Sequence, residues 1–206
     1  MVENLTHRKN VYKAGFIAIT VNLCLAVFKI AIGLISNSLA IMSDAIHGII
    51  DTLSGIIVVI SEKLGSTHRF KKNHEKIERF GALLIATIII IVGMHLLVES
   101  IESIIEPEQP EYSAPIIAIL IISIISKFIL GRFLRLTGQK VRSDTLIASS
   151  VETINDSIIS SAVLLSALVY LIWHINIESY ISIIISFIII KHGLELIFPH
   201  FFKHNN

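Results

Sequence analysis

Two pairs of ionisable residues lie four positions apart inside apolar stretches of this 206-residue chain. His47 and Asp51 form the first pair, and Glu152 and Asp156 form the second. Residues four apart share one face of a helix, so each pair presents two side chains in the same direction. At a bilayer centre, each such group costs roughly 2.5–3.5 kcal/mol on insertion scales. We therefore expect a shared divalent cation between two facing helices to compensate these groups.

One imidazole and three carboxylates are suitable ligands for such a cation. Protons would replace the metal when it leaves, because these groups must be deprotonated to bind it. This competition predicts metal/proton exchange. The alternative is that the same groups only form hydrogen bonds between helices. Asp44 and Asn155 lie beside the two pairs, as candidates to orient a ligand or to act as a gate.

The elements that carry these pairs are predicted to be transmembrane helices. The chain is 53% hydrophobic with a mean hydropathy of +0.77, above ordinary soluble domains. Its apolar residues form six runs, most of them near the roughly 20 residues that cross a bilayer. We expect an all-α polytopic membrane protein with six transmembrane helices over 14–197, a short N-terminus over 1–13 and a tail over 198–206.

Basic residues lie almost entirely in alternate connections. They occupy the N-terminus, the second and fourth connections and the tail, whereas the intervening connections have no Lys or Arg. The positive-inside rule therefore predicts that both termini are cytoplasmic, in a multi-pass protein of the cell membrane. Orientation against an anionic leaflet explains these charges better than binding to nucleic acid.

Other ionisable residues are weaker candidates. His68 and His74 could form a secondary cytoplasmic metal site, and Lys29 could pair with an intramembrane carboxylate such as Asp44. We interpret His192 as a solvated residue of a loop, tail or interface. A single cysteine, Cys24, and few methionines argue against Cu(I).

Four segments, taken in order, resemble the cation diffusion facilitator family of divalent-metal/proton antiporters. They are the Asn22–Lys29–Gly33 pattern, Asn37–Ala40 with Ser43–His47 and Asp51, Asn73–Glu78, and Ser143–Asp156. The resemblance implies that His47, Asp51, Glu152 and Asp156 form a transport site that works by alternating access. Glu152 departs from the family, which most often has His or Asp there, and Asn73 stands where Gly is usual.

The predicted function is export of a divalent transition metal in exchange for protons. Zn²⁺ is slightly favoured because the family frequently carries it, and Mn²⁺, Fe²⁺ and Co²⁺ remain open. The ion is a substrate, not a cofactor, and without a His-Glu-x-x-His motif we expect no enzyme. Family members usually continue into a cytoplasmic domain that helps dimerisation, whereas this chain stops at Asn206. Either it is a short member, for which a homodimer is still plausible, or it is truncated; a non-transporting metal-binding subunit that partners a full-length transporter is the alternative function.

Overall fold

The structure is a computed structural model, and it describes only part of the chain. It describes the backbone of residues 2–65, 71–106 and 109–197, and the side chains of 11–53, 56, 83, 85–106 and 109–197. Within these ranges the chain is helical and contains no strand. The helices are α1 Val2–Ser36, α2 Leu39–Gly65, α3 Lys71–Ile105, α4 Ala114–Val141, α5 Asp144–Trp173 and α6 Glu178–Ile197.

Five helices contain a segment long and apolar enough to cross a membrane. These segments are Val11–Ser36, Ile85–Ile105, Ala114–Val141, Asp144–Trp173 and Glu178–Ile197. These five lie among the described residues, and the side chains of α2 are described mainly in its first half. The predicted all-helical membrane class is confirmed, while the sixth span and the cytoplasmic side of the termini stay predictions. The predicted tail over 198–206 lies outside the described residues.

Two tight turns reverse the chain and create antiparallel helix pairs. After α1, Asn37 has a φ of 48° and the amide of Ser38 donates to the Gly33 carbonyl at 3.0 Å. After α4, Arg142 has a φ of 50° and the amide of Ser143 donates to the Gly138 carbonyl at 2.9 Å. A left-handed residue beyond the last turn ends a helix in this way. The turns place α1 beside α2 and α4 beside α5.

Helix α2 lies at the centre of the bundle, where it contacts α1, α3, α5 and α6. Helices α3 and α6 approach each other closely through two glycines. A Cβ atom on Gly93 would lie 2.8 Å from the side chain of Ile190, and one on Gly193 would lie 2.6 Å from that of Ile90. Only glycine permits this approach, so the α3–α6 contact fixes the position of α6 beside α2.

The bundle buries polar and charged side chains beside its apolar core, and its surface is largely apolar. Lys29, Asp44, His47 and Lys127 are each no more than 2% exposed. Large apolar side chains such as Phe16, Leu34 and Ile105 instead point outward. Buried charge within an apolar exterior is the arrangement expected of membrane helices that face a functional interior.

Candidate metal centre

The first predicted pair forms the middle of a buried cluster. His47 Nε2 lies 3.4 Å from Asp51 Oδ2, one helical turn further along α2. Both side chains are almost fully buried. His47 Nδ1 and Asp51 Oδ2 nevertheless have no hydrogen-bond partner among the described residues. Buried polar atoms are normally paired, so these two atoms indicate a site for a further group.

A second imidazole reaches the same cluster from α6. His192 Nδ1 lies 3.4 Å from Asp51 Oδ1, and the His192 ring stacks on His47 with centroids 5.4 Å apart. Ligand atoms of His47, Asp51 and His192 all lie within 4.8 Å of one another. His192 is therefore not a loop or tail residue: α6 continues to Ile197 and packs on α2, and 28% of the His192 side chain remains exposed.

Asp156 connects the cluster to α5 and α4. Its Oδ1 lies 3.6 Å from His47 Nε2, so the structure brings together residues of the two predicted pairs. Its Oδ2 accepts a hydrogen bond from Lys127 Nζ at 3.1 Å. Lys127 was missed in the sequence, although a single lysine in the apolar stretch of α4 was a visible signal. Its ammonium supplies a fixed positive charge beside the carboxylates.

Glu152 faces a cavity that leads to the cluster, and it does not belong to the close group of His47, Asp51 and His192. The cavity has a volume of about 50 Å³, room for several water molecules. It is lined by residues of α1, α2, α4 and α5, among them Gly15, Asn22, Asp51, Thr52, Glu152 and Asp156. Most of its α1 residues are in the half of that helix nearer the N-terminus, so the cavity lies towards the N-terminal end of α1. Glu152 and Asp156 thus both line this cavity.

Asp44 belongs to a separate buried network. Lys29 Nζ donates to Asp44 Oδ2 at 2.6 Å and to Ser160 Oγ at 2.8 Å, and Ser160 Oγ donates to Asp44 Oδ1 at 3.2 Å. The structure thus contains the Lys29–Asp44 pair that the sequence suggested. Its bonds join α1, α2 and α5. The carboxylate oxygens of Asp44 thus both have hydrogen-bond partners in this network, and Asp44 is available as a structural anchor one turn before His47.

The opposite end of α2 is closed by a carboxylate of α6. Glu178 Oε1 accepts hydrogen bonds from Ser38 Oγ at 2.5 Å and from the Ala40 amide at 2.8 Å, and its Oε2 accepts one from the Tyr112 hydroxyl at 2.9 Å. Burial, with the nearby charge of Glu178, raises the pKa of Tyr112, so this hydroxyl stays a donor at neutral pH. The contacts hold α2, α6 and the α3–α4 connection together. A second, acidic cavity of about 170 Å³ lies beyond them, lined by Glu99, Glu102, Glu106 and Glu178 among others.

The remaining candidate residues lie away from the cluster or outside the described residues. The Asn155 side chain is exposed on α5, on a different face from Asp156. His68 and the side chain of His74 lie outside the described residues, so the secondary site stays a prediction.

The chain is similar in sequence to a known protein family and to several named proteins. The family model of the cation efflux transmembrane domain matches residues 15–202. The manganese efflux system protein MneP of Bacillus subtilis is 32% identical over 200 residues, which cover 91% of this chain and 66% of MneP. The magnetosome protein MamB of Paramagnetospirillum magneticum is 24% identical, with coverage of 87% and 62%. A probable zinc transporter of Dictyostelium discoideum is 26% identical, with coverage of 86% and 31%. The chain thus spans about two thirds or less of the length of these relatives.

Proposed function

We propose, on the premise that the chain belongs to the cation efflux family, that it exports a divalent transition-metal cation across the cell membrane in exchange for protons. The observation that most strongly supports this proposal is the buried cluster at the end of the N-terminal cavity. There, His47 and Asp51 each keep an unpartnered polar atom. We propose residues 14–197 as the transport domain, with transport and not catalysis as its activity.

The charge of the site supports exchange. With neutral imidazoles, the carboxylates of Asp51, Glu152 and Asp156 together with the Lys127 ammonium give a formal charge of −2. Either one divalent cation or two protons would neutralise that charge. Because metal ligands must be deprotonated, metal entry would release protons and proton entry would displace the metal. Lys127 thereby reduces the negative charge that the carboxylates of the two pairs would otherwise carry.

The two ends of the site support alternating access. The N-terminal cavity reaches Asp51, whereas the Glu178 contacts close the other end of α2 near Leu39. Asp51 is twelve residues further along the helix than Leu39, a distance of about 18 Å. We infer an inward-facing state, in which the cation enters from the cytoplasmic side. Opening of the Glu178 contacts would release the cation on the outer side.

The choice of metal is part of the proposal. MneP is named for manganese and the Dictyostelium relative for zinc, so the named relatives do not point to one ion. Carboxylates suit Mn²⁺ and Fe²⁺, whereas imidazole suits Zn²⁺ and Co²⁺. The site contains both, and we favour Zn²⁺ among the four.

Transport by the purified chain in proteoliposomes tests the proposal. A proton gradient should drive Zn²⁺ movement, and Asp51→Ala and Asp156→Ala should each reduce the rate at least about tenfold, because each removes a carboxylate from the cation site. Glu111→Gln removes an exposed carboxylate outside the site and should leave the rate unchanged. Wild-type rates in both alanine variants would refute the site. Metal binding without transport under any gradient would instead support the alternative of a non-transporting subunit. The homodimer stays a prediction. Measuring the mass of the purified protein in detergent tests it.

A further inference from the structure

His192 lies in a position that a metal ligand would require. A tetrahedral zinc ion has ligand atoms at about 2.0–2.1 Å, which places those atoms about 3.3 Å from one another. The His192 Nδ1–Asp51 Oδ1 distance and the His47 Nε2–Asp51 Oδ2 distance are both 3.4 Å. Asp51 thus stands between two imidazoles at nearly the spacing of a coordinated ion.

The burial of the neighbouring atoms provides independent support. Asp51 Oδ2 is buried without a hydrogen-bond partner among the described residues. His192 is only partly buried, with 28% of its side chain exposed, whereas His47 is 1% exposed. His192 is therefore the imidazole of the pair that is more accessible to an approaching ion, while His47 forms the interior of the site.

The backbone of α6 holds His192 in this position. The next residue, Gly193, packs against Ile90 and the Ala86 carbonyl of α3 so closely that a Cβ would not fit without displacement. The small residue fixes how α6 is rotated against α3 and therefore which α6 side chain faces α2.

We propose that His192 is a metal ligand supplied by α6, so that the cation site spans α2, α5 and α6 and contains two imidazoles. The proposal rests on the proposed transport function and specifies its substrate class. Two nitrogen ligands favour borderline ions such as Zn²⁺ and Co²⁺ over Mn²⁺, which binds better to carboxylate, carbonyl and water oxygens. His192 is thus a selectivity residue for imidazole-binding divalent metals.

Calorimetric titration of the purified protein with Zn²⁺ and with Mn²⁺ tests this assignment. His192→Ala should weaken Zn²⁺ binding by at least about tenfold, because the loss of partners that merely orient ligands already costs 10–100-fold. It should weaken Mn²⁺ binding by less than about threefold, since Mn²⁺ gains less from imidazole. Absorption of bound Co²⁺ should change in the same variant, because its ligand set changes. His95→Ala, at an exposed position of α3, is the matched control and should bind both metals as wild type does.

His192→Gln separates a ligand from a residue that only positions Asp51. The glutamine amide can donate a hydrogen bond to Asp51 but has no imidazole nitrogen, so the proposal expects Zn²⁺ affinity as low as in His192→Ala. Wild-type Zn²⁺ affinity in His192→Gln, or equal losses for Zn²⁺ and Mn²⁺, would overturn the proposal. Asp51→Ala distinguishes the two levels of inference. If it abolishes binding while both His192 variants bind normally, only the role of His192 fails, whereas normal binding by Asp51→Ala removes the proposed function's site itself.

Discussion

The buried Lys29–Asp44 pair allows a quantitative test of what Asp44 does. The two charged atoms are 2.6 Å apart and the side chains are 2% and 0% exposed. At an effective dielectric constant near 20, their attraction is about 6 kcal/mol, but the desolvation of each ion costs several kcal/mol. The pair therefore contributes little net stability, although each member depends strongly on the other.

We predict that Lys29→Met and Asp44→Leu each lower the free energy of unfolding by about 3–5 kcal/mol, because each leaves one buried charge without its partner. The double variant should recover most of this loss, because neither buried charge then lacks its partner. It should remain about 1–3 kcal/mol less stable than wild type, since the buried Ser160 hydroxyl loses its bonds to both side chains and leucine is larger than aspartate. Reversible unfolding in mixed micelles measures these values. Thr20→Ala, at an exposed position of α1, is the control and should change stability by at most about 0.5 kcal/mol.

Additive losses in the double variant would refute the reasoning. The same variant also tests the suggestion that Asp44 orients a ligand or gates the site. Asp44 makes its contacts with Lys29 and Ser160, so we expect the double variant to bind Zn²⁺ within about threefold of wild type, less than 0.7 kcal/mol. A larger loss would assign Asp44 a direct part in binding.

Two further predictions concern charge and packing around the site. Lys127→Met should increase the number of protons released per metal ion by up to one, because the empty site then holds a further uncompensated carboxylate charge. Calorimetry in buffers of different ionisation enthalpy measures the number of protons released. An unchanged number would contradict the charge balance. Gly193→Ala should destabilise the fold by about 1–3 kcal/mol through overpacking against Cγ1 of Ile90, as measured by unfolding. The loss should be smaller in an Ile90→Ala background, which lacks that atom. Gly48→Ala is the matched control: its Cβ would have no atom nearer than 4.0 Å, so equal losses at both glycines would contradict the overpacking argument.

The sequence predicted the helices and the polar residues that they carry, for local reasons. Helix geometry alone requires residues four apart to share a face, so the placement of His47 with Asp51 follows from spacing. Long apolar runs likewise specify membrane helices through length. The partner helix of each pair was harder to predict, because it depends on how helices rotate and cross.

His192 and Lys127 illustrate what the sequence did not reveal. The sixth apolar run ends at Ile190, so His192 looked like part of a polar end, and Lys127 had no marked partner in its own helix. Their roles arise from distances between helices, 3.4 Å to Asp51 and 3.1 Å to Asp156.

The sequence by itself therefore determined which groups must be buried in the membrane and which of them share a helix face, because both follow from composition and helical repeat. Only the tertiary structure decided which groups meet. In the structure, Asp44 pairs with Lys29 apart from the cluster, and Glu152 lines the cavity. The ammonium of Lys127 and the imidazole of His192 lie beside the carboxylates of the cluster. The physical reason is that close glycine contacts and buried ion pairs set the rotation of each helix, and those contacts join residues far apart in the chain.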